Sequence, residues 1–148
     1  MGAALPAGDS SEQRAAEVAV LTQLASDLRV TFEPGQRTMP DGTRVELDAI
    51  CLNPPMLIEV WAHQGRPKSA QKHKVMTDAL KLVWAEAVLF PAGARKILAL
   101  ADDSAAGHFL GTSWMAAALL HLGIEVRVVA LSEEIRDRIR RAQVRQYR

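Results

Sequence analysis

The chain has 148 residues and a formal net charge of +1, from 18 lysines and arginines against 17 aspartates and glutamates. This length suits one domain around one core. The near-neutral net charge excludes a chain that attracts nucleic acid or membranes by bulk charge, so any basic patch must come from local clustering. A single cysteine excludes an internal disulfide, and with four scattered histidines it does not supply the ligands of a structural zinc site.

The beginning of the chain, MGAALPAGD, lacks the basic segment and the apolar run of a secretory signal. We predict a flexible terminus over residues 1–9 and a single domain over residues 10–148. No stretch reaches the length of a membrane span, so we expect no membrane partner. A cytoplasmic, reducing setting is therefore expected, with Cys51 as a small buried hydrophobe in a strand.

The predicted elements follow the order αβββαβαβα, from the spacing of the apolar residues. The predicted helices cover residues 10–28, 69–89, 104–122 and the segment that follows Ser132. The predicted strands cover residues 29–33, 44–52, 56–62, 96–101 and 124–131. Three consecutive strands favour an antiparallel meander, and the later alternation of strand and helix favours parallel strands. We therefore predict an α/β domain with a mixed sheet.

Turn and cap residues set the ends of several elements. Ser10 is expected to cap the first helix, and Asp41-Gly42 is a strong hairpin dipeptide ahead of the second strand. Gly111 could interrupt the third helix, with Thr112 or Ser113 capping the restarted helix. The buried face of the second helix is predicted from apolar residues at helical spacing, namely Met76, Ala79, Leu80, Val83 and Ala87.

Two acidic residues, Asp48 and Glu59, lie on the neighbouring second and third strands. If the hairpin loop is Asn53-Pro54 they pair directly, and if it is Pro54-Pro55 they are diagonal neighbours. In both registers the carboxylates share a face and repel one another unless a positive group lies between them. A divalent cation, Mg²⁺ or Mn²⁺, is the usual solution. The alternative is that each acid lies on a solvated face.

Strict alternation along the second strand also divides its residues between two faces. The two predicted sets are Val45, Leu47, Ala49 and Cys51 against Glu46, Asp48, Ile50 and Leu52.

Together these features resemble the PD-(D/E)XK nuclease superfamily, which has a restriction-endonuclease-like fold. The resemblance covers residues 10–131 in element order, and its motif is Asp48, ten intervening residues and then Glu59-Val60-Trp61. It implies a metal-dependent nuclease in which Asp48 and Glu59 hold the ion, with an assisting acid on the first helix. Glu17 is the first match for that acid and Glu12 the second. Gln71 matches the superfamily's glutamine, which would position the water or a backbone phosphate.

Trp61 departs from the superfamily pattern, because it stands where the family carries its catalytic lysine. The resemblance then implies a lysine from the following helix, and the candidates are Lys68, Lys72 and Lys74, the first two placed slightly ahead. With Arg66 these lysines form a basic cluster at a helix start, where they oppose the helix dipole unless an anion lies nearby. We therefore expect a nucleic-acid partner, DNA rather than RNA. The alternative is a solvated helix start.

Other hypotheses remain open from the sequence. A chain without the family lysine could be a degenerate module of the same fold that binds nucleic acid or serves assembly, and a homodimer is possible. Asp102 and Asp103 follow an interior strand, where open α/β sheets bind small ligands, although a helix cap is the simpler role. His63 could neighbour the metal, or it could be a polar surface residue. The arginine-rich last helix suits either a phosphate backbone or solvent.

Overall fold

The computed structural model describes residues 11–146, which form one five-stranded sheet with helices on both faces. The helices are α1 (Ser11–Leu28), α2 (Ser69–Leu89), α3 (Asp103–Leu110), α4 (Trp114–His121) and α5 (Glu133–Gln146). The strands are β1 (Glu33–Thr38), β2 (Arg44–Leu52), β3 (Pro55–Trp61), β4 (Arg95–Leu100) and β5 (Ile124–Val128). The predicted flexible terminus and the Ser10 cap lie outside the described residues, as does the side chain of Glu12.

The sheet has the strand order β1-β2-β3-β4-β5, so neighbours in the sheet are also neighbours in the chain. β1 pairs with β2 and β2 with β3 in antiparallel fashion, whereas β3 pairs with β4 and β4 with β5 in parallel. This arrangement confirms the predicted α/β class and the meander followed by parallel strands. The restriction-endonuclease-like assignment stays a prediction.

Two apolar layers cover the faces of the sheet. On one face, which we call the α2 face, Val75 and Leu82 of α2 belong to the same buried cluster as Leu57 of β3. On the other, which we call the α1 face, Leu24 of α1 belongs to a second cluster with Ile58 of β3. Because both faces are covered, the central strands β3 and β4 are apolar almost throughout. No helix among the described residues is both long and apolar enough to cross a membrane.

The first strand lies four residues later than predicted, at Glu33–Thr38 rather than 29–33. Arg29 has a φ of +55° at the end of α1, a left-handed conformation that does not continue into a strand. β1 has little apolar content because it is an edge strand. Gly35 allows it to approach β2 closely, since a Cβ at this position would collide with the backbone of Leu47.

The predicted breaks and turns are confirmed at two places. Gly42, with a φ of +91°, lies in the turn between β1 and β2 that Asp41-Gly42 predicts. The third predicted helix is two helices, and Ser113 caps the second of them by accepting a hydrogen bond from the Ala116 amide at 3.1 Å. The Ser113 hydroxyl also donates to the carbonyl of His108 at 2.7 Å, which holds the end of α3 against the start of α4.

The buried face of α2 differs from the prediction. The structure buries Val75, Ala79, Leu82 and Ala85, whereas Leu80 is 67% exposed. Only Ala79 of the five predicted positions is fully buried, and Met76 and Val83 lie at the border of the core. The helix is therefore rotated relative to the predicted orientation, and this rotation decides which charged side chains face the sheet.

Candidate functional site

A β-bulge in β2 places the first acidic residue, Asp48. Two positions of β1 that are two residues apart pair with Leu47 and Ile50, which are three residues apart, so β2 carries one additional residue between them. The alternation changes phase there, because Leu47 and Ile50 pack on the α2 face while Ala49 and Cys51 pack on the α1 face. The predicted strict alternation along β2 is therefore wrong at Asp48. Bulges of this kind re-aim a side chain and often lie beside functional sites.

The second acidic residue, Glu59, lies opposite Asp48 across the β2–β3 hairpin. The observed register pairs Ala49 with Ile58, and its continuation sets Asp48 against Glu59. This register is the one expected for the loop Asn53-Pro54, and it excludes the diagonal alternative.

Each carboxylate accepts a hydrogen bond from a backbone amide of the other strand. The amide of Asp48 donates to Glu59 Oε1 at 3.1 Å, and the amide of Val60 donates to Asp48 Oδ2 at 2.7 Å. The two side chains thus take over the pairing of β2 and β3 at the bulge. This exchange fixes the carboxylates against one another and leaves Glu59 only 3% exposed.

Lys81 of α2 supplies the positive charge beside this pair. Its Nζ lies 3.2 Å from Glu59 Oε2 and 3.9 Å from Asp78 Oδ1, and it donates to the carbonyl of Glu46 at 2.9 Å. Lys74, Asp78 and Lys81 recur at helical spacing along the border of the buried stripe of α2. Sequence reasoning missed Lys81 because the predicted face of the helix was centred nearer Leu80. The stripe Val75, Ala79 and Leu82 satisfies the same spacing rule and sets Lys81 at its border, but the sequence alone does not select it.

Burial and mutual repulsion make this acidic pair hard to ionise. Burial and then the charges of Asp48 and Asp78 raise the pKa of Glu59 to about 8, although Lys81 pulls it down. Burial also raises the pKa of Asp48, against the lowering effects of the Val60 amide and Lys81. One lysine therefore does not fully compensate the negative charge that the two strands bring together.

Glu17 approaches the same group from α1. Burial, followed by the charge of Asp48, raises the pKa of Glu17, and the nearby ammonium of Lys74 lowers it. These effects place Glu17 and Lys74 in the electrostatic neighbourhood of the pair. Within the described part of the chain, however, no three His, Cys, Asp or Glu side chains are grouped so that they could hold a metal ion. The assisting role of Glu17 stays a prediction.

Trp61 packs in the core of the α2 face, as expected from its position two residues after Glu59. Its ring stacks on His63 with the centroids 5.2 Å apart. Its Nε1 is buried and has no hydrogen-bond partner among the described residues. Trp61 therefore lies on the same face of β3 as Glu59 and contributes no charge to the carboxylates.

Gln71 and His63 are engaged with one another at the start of α2. The Oε1 of Gln71 accepts a hydrogen bond from the amide of Lys68 at 2.8 Å, and its Nε2 lies 2.9 Å from His63 Nε2. Burial and then the charge of Lys68 lower the pKa of His63, which favours the neutral ring. These contacts give Gln71 a role in the helix cap, and its predicted role beside the carboxylates stays a prediction.

The structure divides the predicted basic cluster into two parts. Arg66, Lys68 and Lys72 line a groove of about 800 Å³ between the start of α2 and α3, together with Ser104 and His108. We call this the basic groove. Lys74 does not line it and instead acts on the acidic residues, as described above for Glu17.

Asp102 has a structural role that accounts for its burial. Its Oδ2 accepts hydrogen bonds from the amides of Gly65 at 2.9 Å and Ala105 at 3.3 Å, which caps α3. Its Oδ1 accepts a hydrogen bond from Arg136 of α5 at 3.1 Å. The helix-cap prediction is confirmed, and both oxygens of Asp102 are engaged in holding α3, α5 and the loop that follows β3. Asp103 lies exposed in the first turn of α3.

Acidic partners offset much of the positive charge on α5. Arg138 pairs with Glu134 at 2.7 Å and Arg140 with Asp137 at 3.3 Å, both on the helix itself. Together with the Arg136 contact to Asp102, these pairs favour the solvated-helix interpretation of the arginine-rich segment.

Comparison of the chain with protein-family models, with curated proteins and with solved structures finds no match. Its function is therefore inferred from the chemistry of the carboxylate pair, Lys81 and the basic groove.

Proposed function

We propose that the chain is a divalent-metal-dependent nuclease that hydrolyses phosphodiester bonds in nucleic acid, with DNA as the substrate and a restriction-endonuclease-like fold. The observation that carries this proposal is the opposition of Asp48 and Glu59, with Lys81 Nζ 3.2 Å from Glu59 Oε2. Folding brings two acids and one ammonium together at a bulge. Burial of these charged groups costs stability, and this cost favours a functional role for them. The order of helices and strands supports the same proposal through its resemblance to the PD-(D/E)XK superfamily.

The carboxylate pair suits Mg²⁺ or Mn²⁺. Such ions need only one or two protein carboxylates and complete their coordination with water and substrate oxygens. A cation held by Asp48 and Glu59, with Glu17 assisting, would offset the burial and the acidic neighbours that raise the pKa values of these groups. When bound, the ion supplies an activated water and stabilises negative charge on the phosphate.

Lys81 replaces the lysine that the superfamily carries at the position of Trp61. Its ammonium touches Glu59, and its side chain is 31% exposed, so it can contact both the carboxylates and an incoming phosphate. In this position it would orient the attacking water and stabilise charge in the transition state. We place it ahead of Lys68, Lys72 and Lys74 for this role.

The basic groove would hold the nucleic-acid backbone. Arg66, Lys68 and Lys72 present cations at the start of α2, and Lys81 lies further along the same helix. At 1.5 Å per residue, Lys72 and Lys81 are about 14 Å apart along the helix axis. The nine residues between them also make about half a turn around the axis, so the two lysines point to opposite sides of α2 and the groove would hold backbone phosphates away from the carboxylate pair.

The test is cleavage of DNA and RNA by the full chain in Mg²⁺ or Mn²⁺, together with calorimetric titration of the metal. We expect Asp48→Ala and Glu59→Ala to lower the cleavage rate by at least about 100-fold, because each removes half of the carboxylate pair. Glu134→Gln, on the exposed surface of α5, is the control for loss of an acid and is expected to leave the rate unchanged. A wild-type chain that binds neither metal would contradict the proposal.

A second candidate is a catalytically inactive module of the same fold that binds nucleic acid. Trp61 stands in the lysine position, and Lys81 already pairs with Glu59 and lies near Asp78, which partly neutralises the site without a metal. Nucleic-acid binding without cleavage, in a chain that still binds the metal, would favour this candidate over the nuclease.

A further inference from the structure

Within residues 11–146 the strand β5 pairs only with β4, so it is an open edge of the sheet. One contact shows which backbone groups of β5 face β4. The amide of Val129 donates to the carbonyl of Leu100 at 2.7 Å, in continuation of the β4–β5 register. In a parallel pair every second residue bonds to the neighbour. Glu125 and Arg127 therefore bond to β4, and the residues between and beside them direct their backbone groups outward.

The outward groups of β5 fit a second copy of the same strand. They belong to Ile124, Val126 and Val128. If two copies meet antiparallel around a two-fold axis at Val126, that residue pairs with its own equivalent and Ile124 pairs with Val128 of the second copy. Each of these pairs is of the hydrogen-bonded kind, so every outward amide finds an acceptor.

The charges on β5 select this register. Glu125 and Arg127 share a face of the strand, and the two-fold at Val126 sets Glu125 opposite Arg127 of the second copy. A shift by two residues in either direction sets Glu125 against Glu125 or Arg127 against Arg127, which repel. Glu125 is held in place by Arg95 at 2.7 Å, whereas Arg127 forms no ion pair within residues 11–146.

An apolar surface continues from the edge strand onto α4. Ala116, Ala117 and Leu120 of α4 line a groove of about 660 Å³ together with Ile124 and Val126 of β5. Leu120 is 81% exposed. β5 also lacks the proline and lysine residues that commonly protect an open edge from pairing.

We propose that the chain forms a two-fold symmetric homodimer through antiparallel pairing of β5, which joins two five-stranded sheets into one. The Glu125–Arg127 pairs lie on the α1 face, and the apolar groove lies on the other side of the strand, where the two α4 helices approach one another. The inference does not depend on the proposed nuclease function, because the carboxylate pair lies on β2 and β3.

The decisive experiment is the mass of the full chain in solution, measured by sedimentation and light scattering over a concentration series. The wild type is expected to be a dimer that dissociates in the micromolar range. Arg127→Glu sets acid against acid in both symmetric pairs and is expected to weaken the dimer at least about tenfold. Glu125→Lys is expected to do the same, and an equimolar mixture of the two variants should restore a dimer. Arg141→Glu, at an exposed position of α5, is the control and should remain dimeric.

Val126→Pro provides a second variant that tests the backbone contacts. Its amide points away from β4, so proline removes no bond inside the sheet and is compatible with a folded edge strand. The variant is expected to be a monomer with the circular dichroism and melting behaviour of a folded chain. A wild type that is monomeric at every concentration would overturn the proposal, as would a dimer whose dissociation constant is unchanged in both Arg127→Glu and Val126→Pro.

Discussion

Lys81 illustrates how one side chain can belong to both the fold and the chemistry. Its ammonium bridges α2 to the β2–β3 hairpin through Glu59 and the carbonyl of Glu46. An ammonium with acceptors on two elements is positioned before any substrate arrives, which is what electrostatic stabilisation of a transition state requires. The same contacts mean that its removal affects folding as well as activity, so the two effects must be measured separately.

Lys81→Ala is expected to lower the single-turnover rate of DNA cleavage at least about 100-fold, because it removes the charge that stabilises the transition state. Lys74→Ala, on the same helix but without a contact to Glu59, should cost much less. The measurement is cleavage at saturating enzyme, with nucleic-acid affinity and thermal melting determined for each variant. Equal rates for wild type and Lys81→Ala, or a larger loss in Lys74→Ala, would show that Lys81 is not the substituting lysine.

The raised pKa of Glu59 predicts a pH-dependent stability in the metal-free chain. The folded state holds the proton up to about pH 8, whereas the unfolded state releases it near the ordinary value of 4.5. Between these values the folded state binds more protons, so the free energy of unfolding falls as pH rises. Glu59→Gln, which mimics the protonated acid, should match the wild type at pH 5 and exceed it by roughly 1 to 4 kcal/mol at pH 8.

Urea unfolding in the presence of a chelator at pH 5 and pH 8 measures this difference. Mg²⁺ should raise the stability of the wild type at pH 8 more than that of Glu59→Gln, because only the carboxylate supplies a full ligand. Identical pH slopes for the two proteins would show that Glu59 is already ionised at pH 5.

At the level of elements, the pairing of β1 with β2 determines the position of the carboxylate pair. The bulge at Asp48 exists because β1 pairs with β2 on both sides of it, and Gly35 permits this close pairing. A side chain at position 35 would force β1 away from Leu47 and loosen the bulge. The edge strand therefore affects a site to which it contributes no side chain.

Gly35→Ala is expected to destabilise the fold by about 2 kcal/mol, because the new methyl group meets backbone atoms that cannot move alone. Gly107→Ala in α3 is the matched control, since a Cβ there meets nothing within 4 Å and alanine favours a helix. Both free energies are obtained from urea unfolding. A Gly35→Ala variant as stable as the control would mean that β1 does not constrain the bulge.

The sequence predicts an element well where the apolar residues of that element itself show the pattern of burial. β2 is predicted to the residue. Of the two hairpin registers that the sequence leaves open, the structure has the one with the loop Asn53-Pro54, whose continuation sets Asp48 against Glu59. β1 is missed because a polar edge strand takes its conformation from its neighbour and has no apolar alternation of its own. The phase change at Asp48 is missed for the same reason, since a bulge is a property of the strand pair.

Lys81 is missed for a different reason, which concerns the packing of a whole helix. α2 has apolar residues on more than one line, so several rotations about its axis satisfy the spacing rule. Only contact with the sheet selects the rotation that buries Leu82 and exposes Leu80. The predicted and observed faces differ by the rotation of about one residue, roughly 100° about the helix axis, and this difference replaces one candidate lysine by another.

At the level of the whole molecule, the strand order has a consequence for how the chain assembles. Each strand lies beside the one that precedes it in the chain, so no strand must wait for a distant segment before it can pair. During synthesis from the N-terminus, β2, β3 and α2 are available before β4 and β5 emerge. We therefore expect the carboxylate pair and Lys81 to come together early, while the edge that recruits a second copy is the last strand to form. Self-association is then delayed until the sheet of each copy is complete, which protects a nascent, partly folded chain from pairing with its neighbours.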